Sequence, residues 1–381
     1  MDALDRLNLL SSQMDLEPAE DAGCTKIPAR QNKTPYISDA VLPGGKRITL
    51  LKSLLTSACE RNCYYCPFRA GRDFRRATFK PDEMASTFMK LNRAGLAQGI
   101  FLSSGIVGGG VRTQDQLLST AEILRKKYLY QGYLHLKLMP GAEFAQIEQA
   151  MRLADRVSVN LEAPNTARLE RLAPGKTFID ELLQPLRWVE EIRRNQPARQ
   201  GWKGYWPSTT TQFVVGAAGE SDLELLKTTA YLHQKLNIRR AYFSAFRPIS
   251  DTPLEHLPAE SPRREHRLYQ AAFLLRDYGF NLEDLPFEHS GSLPLIIDPK
   301  TAWAKVNLVE RPVEINHASR QDLLRVPGIG PKGADAILAA RKKGRLQALE
   351  DLRKIGINAT RAMPYILLGG KQPDKQLSFW G

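Results

Sequence analysis

The sequence predicts an α/β protein followed by a small all-α domain. Three observations predict this: strand-like and helix-like segments alternate from residue 46 to about 290, three of the four cysteines share one loop, and the composition changes at Pro312. Such alternation is typical of a parallel sheet covered by helices. We therefore divide the chain into an N-terminal extension (1–45), an α/β domain (46–290), a linker (291–311) and a C-terminal domain (312–381).

The hydrophobic pattern predicts six strand–helix units. The predicted strands cover residues 47–56, 98–104, 132–139, 155–162, 209–216 and 239–246. The predicted helices cover residues 81–95, 113–128, 142–153, 178–195, 221–236 and 261–278. For residues 1–45 we predict a short helix from Leu4 to Met14, followed by a polar loop that contains Cys24. In closed or partly closed barrels of this kind the chemistry lies at the carboxyl ends of the strands.

The composition limits the class of protein. Of the 381 residues, 43% are hydrophobic, which supports a substantial core. The chain has 54 Lys and Arg against 41 Asp and Glu, a net charge of +13 that favours a polyanionic partner over evenly spread surface charge. We predict no secretory signal, because the first residues lack a basic start followed by an apolar core. We also predict no membrane span, because the sequence has no apolar run of about 18 residues. Clustered cysteines indicate metal ligands in a reducing cytoplasm rather than disulfides.

Three cysteines follow the first predicted strand with the spacing C-x3-C-x2-C. Cys59, Cys63 and Cys66 are close enough in sequence to bind one metal centre from a single loop. Three thiolates suit an iron–sulfur cluster with one iron left open, or zinc with a distant fourth ligand. Tyr65 precedes the third cysteine, and a helix-like segment begins at Pro81.

The C-terminal domain contains a helix, a Pro-Gly-Ile-Gly turn and a second helix, the signature of a helix-hairpin-helix DNA-binding motif. We expect that only glycine tolerates the turn at its two glycine positions, and that backbone amides at the helix N-terminus donate to a phosphate. Such contacts are independent of sequence and weakened by salt. A second, degenerate hairpin has Asn358 where glycine is expected, and a protein–protein role is the alternative for this domain. The predicted nucleic-acid-binding residues are Gly328, Ile329, Gly330, Lys332, Gly333, Lys342 and Lys343.

The strand, the cysteine loop and the helix after it resemble the start of the radical S-adenosylmethionine (SAM) enzymes, whose cluster signature the three cysteines match. With the terminal hairpin, most of residues 35–370 resembles a family of proposed DNA modification or repair radical SAM proteins. This resemblance implies a radical SAM partial (β/α)6 barrel. It also implies a [4Fe–4S] cluster on Cys59, Cys63 and Cys66, with SAM at the open iron.

The resemblance further implies which residues bind SAM. Ser103-Ser104-Gly105 replaces a family motif that often carries an acid, and Lys137 either faces the barrel lumen or pairs with a carboxylate. Glu162 is our first candidate for the ribose and amino group of SAM, and Val215 with Gly216 would contact the adenine. Ser158 and Asn160 share the face of Glu162, because side chains alternate along a strand. The predicted cofactor-binding residues are Tyr65, Ser103, Ser104, Gly105, Lys137, Ser158, Asn160, Glu162, Val215 and Gly216.

The implied activity is reductive cleavage of SAM to a 5′-deoxyadenosyl radical, with an electron donor such as flavodoxin or ferredoxin. We expect the substrate to be a nucleotide in DNA, flipped or single-stranded, because a base inside a duplex is inaccessible. One alternative is a radical SAM enzyme that acts on RNA or tRNA. Another resembles spore photoproduct lyase and would use Cys24 as a hydrogen donor, although Cys24 could equally be a free thiol. The third is a zinc-stabilised DNA-binding protein without catalysis.

Overall fold

The computed structural model describes residues 2–11, 14, 36–42 and 45–373. Cys24 lies outside the described residues, so its role stays a prediction. The chain forms two compact units. The first comprises Met1–Glu220 with Tyr231–Glu260, and the second comprises Ser221–Ala230 with Ser261–Gly381. The domain boundaries drawn from the sequence also stay predictions.

Seven strands of the first unit form one sheet whose spatial order follows the chain. Every neighbouring pair is parallel except β1 with β2, which is antiparallel. The strands are β1 (Ile37–Val41), β2 (Arg47–Leu54), β3 (Gly99–Ser103), β4 (Tyr133–Lys137), β5 (Arg156–Glu162), β6 (Ser208–Val215) and β7 (Arg240–Ala245). The six predicted strands correspond to β2–β7, and the predicted α/β class with a partial barrel is confirmed.

The helices that alternate with these strands also follow the prediction closely. They are α1 (Ala3–Ser11), α2 (Pro81–Arg93), α3 (Gly109–Glu122), α4 (Phe144–Leu153), α5 (Thr166–Leu172), α6 (Gln184–Asn195) and α7 (Asp222–Leu236). Two π-helical turns were not predicted: Ile123–Lys127 continues α3, and Phe178–Leu183 precedes α6. Helix α5 was also missed; it begins where the Asn165 side chain accepts a hydrogen bond from the amide of Arg168 at 3.0 Å.

Strands β3 to β6 are buried on both faces, as parallel strands covered by helices should be. Phe101, Phe213 and Phe243 are almost completely buried, and the rings of Phe213 and Phe243 stack with centroids 5.9 Å apart. Removal of this apolar surface from water contributes about 25 cal/mol per Å². Polar side chains are nevertheless buried near the strand ends, among them Lys137 and Glu162, which indicates a site there.

The second unit is largely helical. Its elements are α8 (Pro262–Asp277), α9 (Pro299–Asn307), α10 (Arg320–Arg325), α11 (Pro331–Ala340), α12 (Leu349–Lys354), α13 (Ala359–Ala362) and the two parallel strands β8 (Val313–Glu314) and β9 (Ile366–Leu367). Leu323, Ile337 and Leu352 are fully buried members of its own apolar core. Among the described helices, none has the length and apolar character that crossing a membrane requires.

Candidate functional site

A cavity lies at the carboxyl ends of the parallel strands, where their connecting loops converge. Most of the residues predicted to bind cluster or cofactor line this one cavity, although they come from separate strands and loops. They are Cys59, Cys63, Tyr65, Cys66, Ser103, Ser104, Gly105, Lys137, Asn160 and Glu162. The register of the sheet therefore brings the cysteine loop and the polar strand ends together.

The cysteine loop is fixed at both of its ends by one arginine that the sequence analysis did not single out. The Arg76 guanidinium donates to the carbonyl oxygen of Ser57 at 2.7 Å, before the first cysteine. It also donates to the carbonyls of Phe68 at 3.2 Å and Arg69 at 2.9 Å, beyond the third cysteine. Because these bonds close the loop on itself, the three thiols are held on one wall of the cavity.

Glu60, between the first two cysteines, joins this loop to α3. Its carboxylate accepts hydrogen bonds from the amides of Gly108 at 2.9 Å and Gly109 at 3.0 Å. A carboxylate is favoured at a helix N-terminus by the unpaired amides and the helix dipole. A side chain at Gly105 would place its Cβ 2.1 Å from the carbonyl oxygen of Ala58, so the loop after β3 approaches as closely as only glycine permits.

The thiols lie in surroundings that disfavour a bare negative charge. Burial raises the pKa of Cys63 to about 11. Burial and the neighbouring Cys63 raise the pKa of Cys66 as well, and the Phe68 amide donates to the Cys66 sulfur at 3.4 Å. Thiolates at this wall therefore need a positive partner, which a bound metal centre supplies. Among the described residues, no three His, Cys, Asp or Glu side chains are arranged to hold a single metal ion.

Glu162 and Lys176 form a buried ion pair in the cavity. The Lys176 ammonium donates to Oε1 of Glu162 at 2.6 Å, and the two side chains are 9% and 4% exposed. Burial alone would lower the pKa of Lys176, but the negative charges of a Cys63 thiolate and of the Glu162 carboxylate raise it above its ordinary value. Oε2 of Glu162 is buried without a hydrogen-bond partner in the described part of the chain. Since buried acceptors are normally satisfied, this oxygen is available to a ligand.

The backbone at Glu162 is strained. Its φ is +65°, and the register between β5 and β6 shifts between Asn160 and Glu162. Strain of this kind, about 1–3 kcal/mol, persists where the surroundings over-determine it, often at functional sites. Lys137 donates to Oδ1 of Asn160 at 2.6 Å, which fixes both side chains in the cavity wall. Burial and the Glu162 carboxylate raise the pKa of Tyr65 far above its usual range, so its hydroxyl stays protonated.

Three of the predicted residues are not part of the cavity lining. The Ser158 hydroxyl is instead bonded to Nε2 of His135 at 2.8 Å. Val215 is buried on the other face of β6, and strand alternation gives Val214 its place in the wall. Gly216 has a φ of +102° and shapes the turn after β6, where its amide donates to Glu220 at 2.6 Å. Their contact with SAM stays a prediction.

Lys176 is the cavity residue that sequence reasoning most clearly missed. It follows Pro174-Gly175, and the sequence pattern of this segment, which lies after α5, indicates only a loop. The loop is held in place by Arg61, whose guanidinium pairs with Glu181 at 2.5 Å and donates to the carbonyl of Gly175. The signal was a lysine in the short connection after α5, the helix that follows the polar strand end of β5.

The hairpin residues occupy the second unit. Gly328 has a φ of +86°, so the left-handed backbone there confirms its need for glycine. Gly330 has an ordinary φ of −102°, and the expectation of a special backbone at this position is wrong. The Ile329 side chain is buried, and its backbone amide donates to the carbonyl oxygen of Val326 at 3.2 Å. The remaining predicted residues lie in the first turn of α11 or just after that helix: Lys332, Gly333, Lys342 and Lys343.

Asn358 explains how the second hairpin manages without glycine. Its φ is −74°, and its side chain accepts a hydrogen bond from the amide of Arg361 at 3.2 Å at the start of α13. The chain here turns into a helix with an ordinary cap rather than through a left-handed residue.

Residues 53–231 match the Radical SAM superfamily. The chain contains a radical SAM domain. Residues 309–358 match a helix-hairpin-helix motif. No curated protein matches the chain.

Solved radical SAM proteins are distantly similar. The FeFe-hydrogenase maturase HydG from Carboxydothermus hydrogenoformans is 14% identical, covering 60% of this chain and 51% of its own, with a TM-score of 0.47. Methylornithine synthase (PylB) is 14% identical, and the match covers 72% of this chain and 68% of the synthase, with a TM-score of 0.47. A radical SAM methyltransferase from Sphaerobacter thermophilus is 16% identical, and the match covers 63% of this chain and 75% of the methyltransferase, with a TM-score of 0.44. The chain thus spans about half the length of the first of these structures.

The radical SAM superfamily uses a [4Fe–4S] cluster and SAM, and these are the cofactors that the domain implies. The cavity fits both. Three thiols share one wall and would each bind one iron, which leaves the fourth iron for SAM. The buried Glu162 oxygen without a partner suits the ammonium or a ribose hydroxyl of SAM.

Proposed function

We propose that the chain is a radical SAM enzyme that modifies or repairs a nucleotide in DNA. The observation that supports it is the presence, in one chain, of a thiol-lined radical SAM cavity and a helix-hairpin-helix motif. When bound, the cluster and SAM supply a carbon radical that abstracts a hydrogen atom from the substrate. The reaction belongs to the cofactors, and the protein supplies binding, orientation and exclusion of water.

Each part of the cavity has its own task. Cys59, Cys63 and Cys66 bind the irons, and Arg76 and Glu60 keep their loop in place. Glu162, held by Lys176, directs one carboxylate oxygen to SAM, while Asn160 is oriented by Lys137. The apolar side chains of the wall exclude water, which protects a reactive radical from side reactions; they include Leu54, Met139, Val214 and Phe246.

The second unit would hold the polymer. The exposed lysines after α11 and the hairpin amides suit phosphates, and the net charge of +13 favours a polyanion. Because a duplex hides its bases, the substrate nucleotide is flipped or single-stranded. We further propose a cytoplasmic enzyme that is reduced by flavodoxin or ferredoxin, because thiol ligands and a reducible cluster require a reducing compartment.

The decisive experiment uses the full chain, reconstituted with iron and sulfide under anaerobic conditions and reduced in the presence of SAM. We would add deuterated DNA and, in parallel, deuterated structured RNA. Deuterium in 5′-deoxyadenosine from the DNA sample alone supports the proposal. Label from RNA alone supports the RNA-modifying alternative, and a protein that takes up zinc but neither iron nor sulfide ends the enzyme hypothesis.

A further inference from the structure

A second cavity lies within the second unit, beside the hairpin turn. It has a volume of about 360 Å³ and is lined by α8, the start of α9, the turn Gly328–Gly330 and the start of α13. This volume is at the lower end of the range for ligand sites, about 300–1,000 Å³. The two cationic residues of its lining, Lys300 and Arg361, lie outside the matched motif at 309–358.

Lys300 is fixed against the hairpin turn. Its ammonium donates to the carbonyl oxygen of Ile329, the central residue of the turn, at 2.5 Å. The nitrogen also lies 4.6 Å from the centroid of the Tyr278 ring, within the range of a cation–π contact. The two contacts place a positive charge beside the turn from a residue 29 positions earlier in the chain.

The charges in this cavity do not cancel. Asp298 is paired with Arg361 at 2.7 Å and caps α9 by accepting from the Thr301 amide at 3.1 Å. Lys300, by contrast, contacts a neutral carbonyl and a neutral ring. The cavity therefore has a net attraction for an anion.

We propose that this cavity binds a phosphate group of the nucleic-acid backbone, with Lys300 supplying a positive charge beside the hairpin turn. The inference rests on the proposed function, because it takes the polymer to be DNA. Burial lowers the pKa of Lys300 to about 7, with Arg361 acting in the same direction against Asp298. A phosphate would restore the charged form, since an anion beside an ammonium favours it.

The test measures how the affinity of the full chain for a short random-sequence DNA duplex depends on salt. Each lost phosphate contact reduces the slope of log K against log salt by about 0.9. For Lys300→Gln we expect this reduction with a uniform loss of affinity across sequences, and for Lys300→Arg a retained slope. The matched control is Lys305→Gln, an exposed lysine of the same helix, which should leave the slope unchanged.

A second readout separates charge from structure. As the pH rises from about 6 to about 8.5, the Lys300 ammonium loses its proton, so wild-type affinity should fall because binding must restore it. Lys300→Arg should lack this fall, as arginine stays charged. The other groups that face Lys300 are Asp298, Arg361 and Tyr278, and all three are present in both the wild type and Lys300→Arg. Burial raises the pKa of Tyr278, which keeps its hydroxyl neutral.

The outcomes distinguish the two proposals. If wild-type protein binds DNA but Lys300→Gln keeps the full salt slope and the pH dependence, Lys300 only supports the turn and the inference is wrong, while the DNA function stands. If the wild type binds no DNA at all, both fail. Thermal unfolding of each variant shows whether it still folds. If Lys300→Gln does not fold, the pH dependence of DNA affinity is compared between Lys300→Arg and the wild type instead.

Discussion

The barrel cavity and the hairpin unit handle charge in opposite ways. In the cavity, Glu162 and Lys176 are buried and paired, and Cys63 is buried as well. In the second unit, by contrast, Lys332, Lys342 and Lys343 are exposed. A protein can surround a small cofactor, so the side chains that contact the cofactor can be buried and held in position before it binds. A polymer can only be touched along one side, where charges stay hydrated and are screened by salt.

This difference predicts that mutations in the first region change one chemical step strongly, while mutations in the second region change affinity in small, salt-dependent increments. The four variants below test that contrast, from the largest expected effect to the smallest.

Replacement of one cluster ligand should separate the two regions completely. Cys63→Ser removes a thiolate from the proposed cluster, so we expect loss of iron and sulfide and of SAM cleavage, with duplex binding unchanged. Metal and sulfide analysis of anaerobically purified protein is the measurement. Cys24→Ala is the control and should keep its iron; if it loses iron instead, the assignment of the three ligands is wrong.

Glu162→Gln should weaken SAM binding by about tenfold to a hundredfold. A hydrogen bond to a charged group contributes about 1.5–3 kcal/mol, and about 1.4 kcal/mol corresponds to a factor of ten. The variant also leaves the Lys176 ammonium buried without its carboxylate, which lowers stability. Equilibrium dialysis of SAM with the reconstituted protein measures the effect. Glu170→Gln, on the exposed side of α5, is the matched control, and equal affinities for the two variants would contradict the role of Glu162.

Gly105→Ala should destabilise the protein by about 1–3 kcal/mol, the usual cost of an added methyl group that has no room. The new Cβ would lie 2.1 Å from the Ala58 carbonyl oxygen, so the cysteine loop must move. Gly344→Ala, where a Cβ meets no atom within 4 Å, should change stability by less than about 0.5 kcal/mol. Denaturant unfolding compares the two. Similar losses would show that the contact between the loop after β3 and the cysteine loop is not tight.

Lys332→Gln should have the smallest effect. This lysine lies in the first turn of α11 and would contact one phosphate, so we expect a salt slope lower by about 0.9 and a severalfold loss of affinity on every duplex sequence. SAM cleavage without DNA should be unaffected. A loss confined to some sequences would indicate base readout and contradict backbone recognition.

Prediction from the sequence succeeded best where a pattern is local. Alternation of segments gave β2–β7 and most of the intervening helices. Strand β1 was missed because Ile37–Val41 is a short edge strand with one fully buried residue, and so carries little periodic signal. The start of α3 was predicted four residues late, because its cap is a left-handed Gly108 whose amide is satisfied by Glu60 from a distant loop.

The candidate site shows the same limit. Ser158 and Asn160 share a face in sequence terms, yet only Asn160 reaches the cavity, since His135 on the neighbouring strand takes the Ser158 hydroxyl. On β6, Val214 lines the cavity while the predicted Val215 does not, and the contact of Val215 with SAM stays a prediction. Alternation fixes which residues share a face, but the end of the strand and its register decide which of them face a ligand.

By itself the sequence determined the C-x3-C-x2-C loop, the Pro-Gly-Ile-Gly turn and the alternation that builds the sheet, since each depends on neighbours within a few residues. Only the tertiary structure decided that Lys176 meets Glu162, that Arg76 closes the cysteine loop and that Lys300 meets the carbonyl of Ile329. Those contacts join residues whose separation along the chain has no fixed relation to their distance in space, because loops of many lengths can connect the same packed elements.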